Sequence, residues 1–174
     1  MNTNQIKVLS ALCAAIIVAP GAAHGQTPVR FSVMAGFSLP AGDLGNSSDL
    51  GVNLAVRGEG LPISPGWTVR GDMAYDRYDG RGSVNAYSYI SLAGNLVHHE
   101  RSGRVYEFVG LGFYNSRIGF SNAQSRSDVN LGVQMGAGFD LTRDQRVFAE
   151  FGLTSAFTSG RSSVWFPIRI GLRF

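Results

Sequence analysis

The chain has 174 residues, with 15 Lys and Arg against 12 Asp and Glu and a formal net charge of +3. The basic residues form no run and no patch interleaved with aromatic residues, so the sequence gives no support to nucleic-acid binding. After the N-terminal segment, no stretch approaches the roughly eighteen consecutive apolar residues of a membrane-spanning helix, whereas 23 Gly, 11 Phe and 6 Tyr favour a β-protein.

The N-terminal segment has the three-part order of a secretory signal peptide. Lys7 precedes an apolar run at residues 8–19, Pro20 and Gly21 break the run, and residues 23–25 (Ala-His-Gly) supply small residues for cleavage. The run is too short to cross a bilayer as a helix, which needs roughly twenty residues. We therefore predict a signal peptide at residues 1–25 and one exported domain at residues 26–174. Cys13 lies inside the apolar run, so the exported domain has no cysteine and cannot rely on disulfides.

Eight segments of the exported domain alternate between apolar and polar residues. A period of two places the apolar side chains on one face of a β-strand, and each segment has about the length of a tilted transmembrane strand. The clearest case begins at Val129, where Val133 and every second neighbour are apolar while the residues between them, such as Gln134, are polar or glycine. The predicted strands are 30–39, 50–58, 67–75, 84–97, 105–115, 129–140, 147–154 and 166–174.

An even number of strands places both termini on one side of the membrane, which we take as the periplasm. The connections expected outside the cell are then 40–49, 76–83, 116–127 and about 158–162. Those expected in the periplasm are 59–66, 98–103 and 142–145. The external segment 76–82 contains Arg77, Tyr78 and Arg81, residue types favoured in binding surfaces. These three are candidate contacts to a partner or to lipopolysaccharide, although a solvated hairpin tip would explain them equally well.

The polar face of the strands favours a membrane barrel over a secreted soluble barrel of the lipocalin kind. It carries mainly Gly, Ser, Asn and Ala, which suit the narrow interior of an eight-stranded barrel. It also carries charges of both signs, and buried charges need partners of opposite sign. The predicted lumen charge network consists of Arg30, Arg57, Arg70, Asp72, Glu107, Asp140, Glu150, Arg169 and Arg173.

The facing of strand 105–115 is ambiguous. Glu107 shares one face with Val109 and Leu111, whereas Tyr106 and Phe108 share the other face with glycines. A charge on a lipid-facing surface costs more than an aromatic ring inside the barrel. On this ground we place Glu107 inward.

The last strand alternates without exception to the final residue of the chain. Its apolar face consists of Phe166, Ile168, Ile170, Leu172 and Phe174. A terminal strand of this kind that stops on Phe resembles the signal recognised by the barrel-assembly machinery of the outer membrane. With the signal peptide, it makes the chain similar to the small OmpA/OmpX-type barrels of Gram-negative bacteria. The resemblance implies an all-β, eight-stranded antiparallel up-and-down transmembrane β-barrel, surrounded by outer-membrane lipid and lipopolysaccharide and present as a monomer.

Three sharper chemical hypotheses have little support in the sequence. His98, His99 and Glu100 suggest a metal site, but adjacent residues of a strand point to opposite faces and the exported domain has no other histidine. Asp43, Asn46 and Asp49 could surround a cation, but turn chemistry explains the same residues. A lipid A-modifying enzyme would need a histidine at the outer end of the barrel, and both histidines fall at the periplasmic end. We expect no cofactor, no metal and no catalysis.

The function that these observations favour is a structural or surface-interaction barrel that presents short extracellular loops. The alternative is a narrow channel or a barrel that binds a small ligand. An eight-stranded barrel leaves little lumen, which argues against a general porin.

Overall fold

The computed structural model describes residues 29–82, 84–101, 103–120, 125–158 and 161–174. The predicted signal peptide lies outside these residues. Eight strands close into a barrel, in which each strand pairs antiparallel with the next and the last pairs with the first. The fold is therefore the predicted eight-stranded up-and-down barrel. The strands are β1 Arg30–Ala41, β2 Gly51–Ser64, β3 Trp67–Asp79, β4 Val84–His99, β5 Val105–Phe120, β6 Arg126–Asp140, β7 Val147–Thr158 and β8 Arg161–Arg173.

The strands are strongly tilted against the barrel axis. We start at Arg30 on β1 and move from each residue to its paired residue on the next strand. One circuit of the barrel returns to β1 at Pro40, ten residues further along the strand. Such an offset goes with a tilt of roughly 35–45°. A residue on one strand therefore lies closer to the end of the barrel at which β1 finishes than its paired residue on the preceding strand. We call this the outer end, and the opposite end, where β1 begins and β8 finishes, the periplasmic end.

Large apolar side chains cover the outside of the barrel. Leu111 is 70% exposed, Ile170 61% and Phe113 60%. The inner face carries mainly small, polar and charged residues with several aromatic rings among them, whereas a soluble barrel faces water on its outside and packs an apolar core. The outside is thus built to contact hydrocarbon. The apolar residues of the terminal strand share this outward face, namely Phe166, Ile168, Ile170, Leu172 and Phe174.

Glycines on β6 make room for the aromatic residues of β5. Tyr106 pairs across the strands with Gly138, and Phe108 pairs with Gly136. Both rings point inward and are buried. A Cβ atom on Gly138 would overlap the Tyr106 ring, so the two positions are complementary in shape. This complementarity fixes the facing of β5, which its own alternation leaves open.

Several elements are longer than the alternation predicted. β3 continues to Asp79 and β5 to Phe120, while β2 and β3 extend into a tight periplasmic hairpin whose Gly66 has a φ of 81°. The first external connection is partly ordered as a short helix, α1, at Gly42–Ser47. No helix in the described ranges is long and apolar enough to span a membrane.

Candidate functional site: the filled interior and the two rims

Five of the charged residues predicted to face the lumen meet in one cluster at the middle of the barrel. The Glu150 carboxylate forms ion pairs with three arginines: Arg57 Nη2 at 2.5 Å, Arg70 Nη1 at 3.2 Å and Arg169 Nη1 at 3.4 Å. Asp72 accepts a hydrogen bond from Arg57 Nε at 3.1 Å. Arg70 Nη2 lies 2.8 Å from Asp72 Oδ2, close enough for an ion pair, although the angle is not that of a hydrogen bond. All five side chains are almost completely buried.

Neutral groups complete this central ion cluster. The Tyr106 hydroxyl donates to Glu150 Oε2 at 3.2 Å, and Asn95 Nδ2 donates to Asp72 Oδ2 at 3.2 Å. The Arg70 guanidinium lies 4.0 Å from the centroid of the Phe108 ring. These contacts replace part of the water that the charges lose on burial. Arg70 Nε and Nη2 have no hydrogen-bond partner among the described residues.

Asp76 is a further buried carboxylate, and sequence reasoning missed it. The predicted β3 stopped at Tyr75, which placed Asp76 in a loop. In the structure Asp76 is 1% exposed, and it accepts hydrogen bonds from Ser38 Oγ at 2.5 Å and Asn53 Nδ2 at 2.6 Å. Asn53 Oδ1 in turn accepts from Arg169 Nε at 2.6 Å, so Asn53 links Asp76 to the central ion cluster. Continued alternation beyond Tyr75 was the signal that could have found it.

A second, smaller ion pair lies towards the periplasmic end. Arg173 Nη1 is 3.1 Å from Asp140 Oδ1. The Phe148 ring lies between this pair and the central ion cluster. The guanidinium carbons of Arg173 and Arg57 are 4.9 and 5.3 Å from the centroid of that ring. The predicted single network is therefore two groups separated by an aromatic ring.

Two predicted members do not belong to the network. Arg30 is exposed at the start of β1, where its Nη1 donates a hydrogen bond to Gln145 Oε1 at 3.5 Å. The inward placement of Glu107 was wrong, because its side chain points outward and is 72% exposed. Its carboxylate lies 3.2 Å from His98 Nδ1, towards the periplasmic end. The free-energy cost of a charge on the lipid-facing side is smaller near the membrane interface than at the middle of the bilayer. The outward position of Glu107 also places Tyr106 and Phe108 inside, where the glycines of β6 leave space for their rings.

Aromatic residues fill the outer half of the interior. Tyr89 and Tyr114 pack on Trp165, with ring centroids 4.7 and 5.8 Å apart, and Tyr78 packs edge-on against Tyr89 at 6.1 Å. Leu44 of α1 belongs to the same cluster and is 3% exposed. The short helix therefore lies over the outer mouth with an apolar side chain inserted below it.

The three predicted loop contacts have three different surroundings. Tyr78 as a loop contact was wrong: the strand runs on past it, and its side chain is 0% exposed among the aromatic residues inside. Arg81 is exposed and pairs with Asp49 at 2.5 Å. Arg77 is exposed on the outward face of β3. Only the two arginines are therefore accessible from outside.

The histidines lie at the periplasmic end, as the topology predicted. His99 Nε2 is 2.6 Å from Glu59 Oε1, and the His98 ring lies 4.7 Å from the Trp67 ring. Each histidine thus has its own acidic partner. Within the described ranges, no group of three or more His, Cys, Asp or Glu side chains is arranged to hold a metal ion.

The sequence matches no protein-family model, and a search of curated proteins finds no relative. Solved structures do match. The outer membrane protein Ail of Yersinia pestis in a phospholipid nanodisc aligns with a TM-score of 0.58 at 17% identity, over 84% of this chain and 100% of Ail. Neisserial surface protein A gives 0.55 at 16% identity, over 86% of this chain and 98% of that protein. The N-terminal barrel of Pseudomonas aeruginosa OprF aligns with a TM-score of 0.56 at 14% identity, over 86% of this chain and 100% of that barrel.

The chain has the fold of the eight-stranded outer-membrane β-barrels. The surface of the barrel is also suited to a lipid bilayer. The closed sheet leaves no unpaired strand edge, and apolar side chains cover the outside. The chain therefore has the fold and the apolar exterior of an integral membrane barrel.

Proposed function

We propose that this barrel has a structural and surface-binding role, in which a closed body anchors an outer rim that contacts lipopolysaccharide. The observation that carries the proposal is the filled interior. The central ion cluster spans the barrel, aromatic residues fill the space above it, and Leu44 of α1 is inserted at the outer mouth. A barrel filled in this way offers its outside, rather than a lumen, for function.

The outer rim carries two outward arginines that have no acidic partner within the described residues. Arg77 on β3 pairs across the sheet with Ser88 on β4, and Ser88 pairs with Arg117 on β5. Both arginines are exposed. The two Cα atoms are two strands apart, roughly 10 Å, so both guanidinium groups can reach one phosphorylated headgroup. Asp79 lies further out on the Arg77 face and makes no ion pair with it.

The position of these arginines favours a lipid partner over a soluble one. Ile90 lies two residues below Ser88 on the same outward face and is 51% exposed, at the upper edge of the apolar surface. Arg77 and Arg117 thus lie where hydrocarbon gives way to headgroups. Guanidinium groups bind phosphate in a bidentate way, and lipopolysaccharide supplies phosphates at that depth. Ail, whose structure has this fold, has also been solved in complex with the heparin analogue sucrose octasulfate, a polyanion.

The chain offers a matched control for this proposal. Arg81 and Arg126 are also exposed near the outer end, but each has an acid partner, Asp49 at 2.5 Å and Asp128 at 3.0 Å. The double variants Arg77→Gln/Arg117→Gln and Arg81→Gln/Arg126→Gln remove the same charge. In bilayers with lipopolysaccharide, we expect the first to weaken retention of the glycolipid and the second to leave it nearly unchanged. Equal loss in both variants would mean that net charge alone, and no rim site, holds the lipid.

Planar-bilayer recording tests the closed body separately. The purified barrel should show no large, stable conductance steps. Steps of that kind would make a channel the better description, whatever the outcome with lipopolysaccharide. Native mass spectrometry of the same sample tests the expected monomer.

A further inference from the structure

The outward position of Glu107 is the least expected feature of the lipid-facing surface. The side chains of Val105 and Phe139 lie further towards the periplasmic end on the same face and are 45% and 50% exposed. Glu107 is therefore flanked by apolar residues rather than placed beyond them. A carboxylate in that setting needs cationic or hydrogen-bonding partners, and the structure supplies one, His98, on one side.

A groove on the outside of the barrel runs past this carboxylate. It is a shallow, open depression on the outside of the barrel, with a volume of about 590 Å³. Its lining includes Trp67, His98, Glu107, Ala137, Phe151 and Phe166. Small Ala137 forms the floor between larger neighbours, which is why a depression exists there.

The groove runs along paired residues of adjacent strands. Glu107 pairs with Ala137 on β6, and Ala137 pairs with Phe151 on β7. Because the strands are tilted, each of these steps rises from the periplasmic end towards the middle of the membrane. One end of the groove is therefore polar and near the membrane surface, and the other end is apolar and deep.

A second groove of about 520 Å³ lies beside the first and shares Ala137 and Phe151 with it. Its remaining lining consists of the apolar residues Val105, Phe139, Ala149 and Ile168, together with Gly138 and Glu150, whose side chain is buried inside the barrel. Two adjoining apolar grooves that meet near one carboxylate match the shape of a lipid with two acyl chains.

We propose that these grooves bind one phospholipid of the periplasmic leaflet, with its acyl chains in the grooves and a primary ammonium headgroup on Glu107. The choice of headgroup follows from charge complementarity. The exposed Glu107 carboxylate attracts an ammonium that can donate hydrogen bonds, and His98 lies beside it within reach of a lipid phosphate. A choline headgroup has the same charge but no N–H donor, so it binds less well. The site is independent of the outer-rim role proposed above.

The test uses the whole purified barrel, an equimolar mixture of dioleoylphosphatidylethanolamine and dioleoylphosphatidylcholine, and native mass spectrometry. The wild type should retain the ethanolamine lipid in preference, by roughly two- to five-fold, the range of an accessible charge-assisted pair. Glu107→Gln should reduce that ratio to about one, while Asp144→Asn, at an exposed periplasmic turn, should leave it unchanged.

A second pair of variants tests the grooves themselves. Ala137→Leu fills them and should lower retention of both lipids, whereas Ala35→Leu, outward on β1, should not. Both changes add apolar volume towards lipid, so neither should prevent folding. Equal retention of the two lipids by the wild type, or a preference that survives Glu107→Gln, would overturn the proposal. So would a dimer that Ala137→Leu abolishes while lipid retention stays the same, since the grooves would then seat a second copy.

Discussion

Arg57 and Glu150 are 93 residues apart in the chain, yet Arg57 Nη2 and Glu150 Oε2 are 2.5 Å apart inside the barrel. This contact joins β2 to β7 directly across the interior rather than through the sheet. It therefore forms only when the barrel has closed with the correct register. The pair therefore favours this register over other registers of the strands, and it also stabilises the closed barrel.

Loss of the Glu150 charge should be strongly destabilising. Glu150→Gln leaves Arg57, Arg70 and Arg169 buried with a shortage of negative charge. Removal of one partner from a buried ion pair typically costs about 3–5 kcal/mol, and we expect a loss of that size in the free energy of unfolding. Urea-induced unfolding in lipid vesicles, followed by tryptophan fluorescence, measures it.

Asp128→Asn is the matched control for this change. Asp128 pairs with Arg126, and both side chains are more than half exposed. Removal of such a pair should cost less than about 1 kcal/mol. Similar losses in the two variants would show that the central ion cluster has no special role in stability.

The glycines that face the interior should be sensitive to a single added methyl group. A Cβ atom on Gly136 would overlap the backbone oxygen of Phe151 and come within 2.7 Å of the Phe108 ring. Gly94 has open space on its outward side. Gly136→Ala should therefore lower the free energy of unfolding by about 1–3 kcal/mol, whereas Gly94→Ala should have little effect. Comparable unfolding midpoints would contradict the tight packing described for β6.

The outward face of β6 should accept volume but not charge. Val133 lies on that face, between Leu131 and Met135, which are 60% and 47% exposed. Val133→Arg should cost roughly 2–4 kcal/mol if the residue is near the middle of the bilayer. Val133→Trp should cost little, because lipid yields to a larger apolar side chain. A severe loss from Val133→Trp would place this position in a packed core instead.

Phe174 should matter more for assembly than for final stability. It is 76% exposed, so it contributes little internal packing. If the barrel-assembly machinery recognises the apolar face of β8, deletion of Phe174 should lower the amount of heat-modifiable barrel in cells and change refolding into detergent much less. An equal loss in both settings would make Phe174 an ordinary stabilising residue.

The alternation of side chains was enough to predict the number of strands, their order and the outward apolar face. Period-two patterns are local, and each strand carries its own. The central ion cluster was predictable in composition because Arg57, Arg70 and Arg169 share the polar face with Asp72 and Glu150. Which of these side chains meet was not predictable, since the contacts depend on barrel closure and tilt.

The errors have a common physical origin in neighbouring strands. Glu107 faces outward because Gly136 and Gly138 on β6 make room for the rings of β5, and nothing within β5 reveals that. Tyr78 and Asp76 are buried because β3 is held to Asp79 by pairing with β4. The helix α1 is too short for a helical pattern to be visible, and its position depends on Leu44 meeting the aromatic residues below.

The central claim is that the apolar face of the sheet contacts lipid. A nitroxide label at Leu111, the middle of β5, tests this most directly, with a label at Asp144 in the exposed periplasmic turn for comparison. In liposomes, the label at Leu111 should be relaxed by oxygen and shielded from a water-soluble nickel chelate, and the label at Asp144 should show the opposite. A nickel chelate that reaches Leu111 as readily as Asp144 would contradict the membrane barrel.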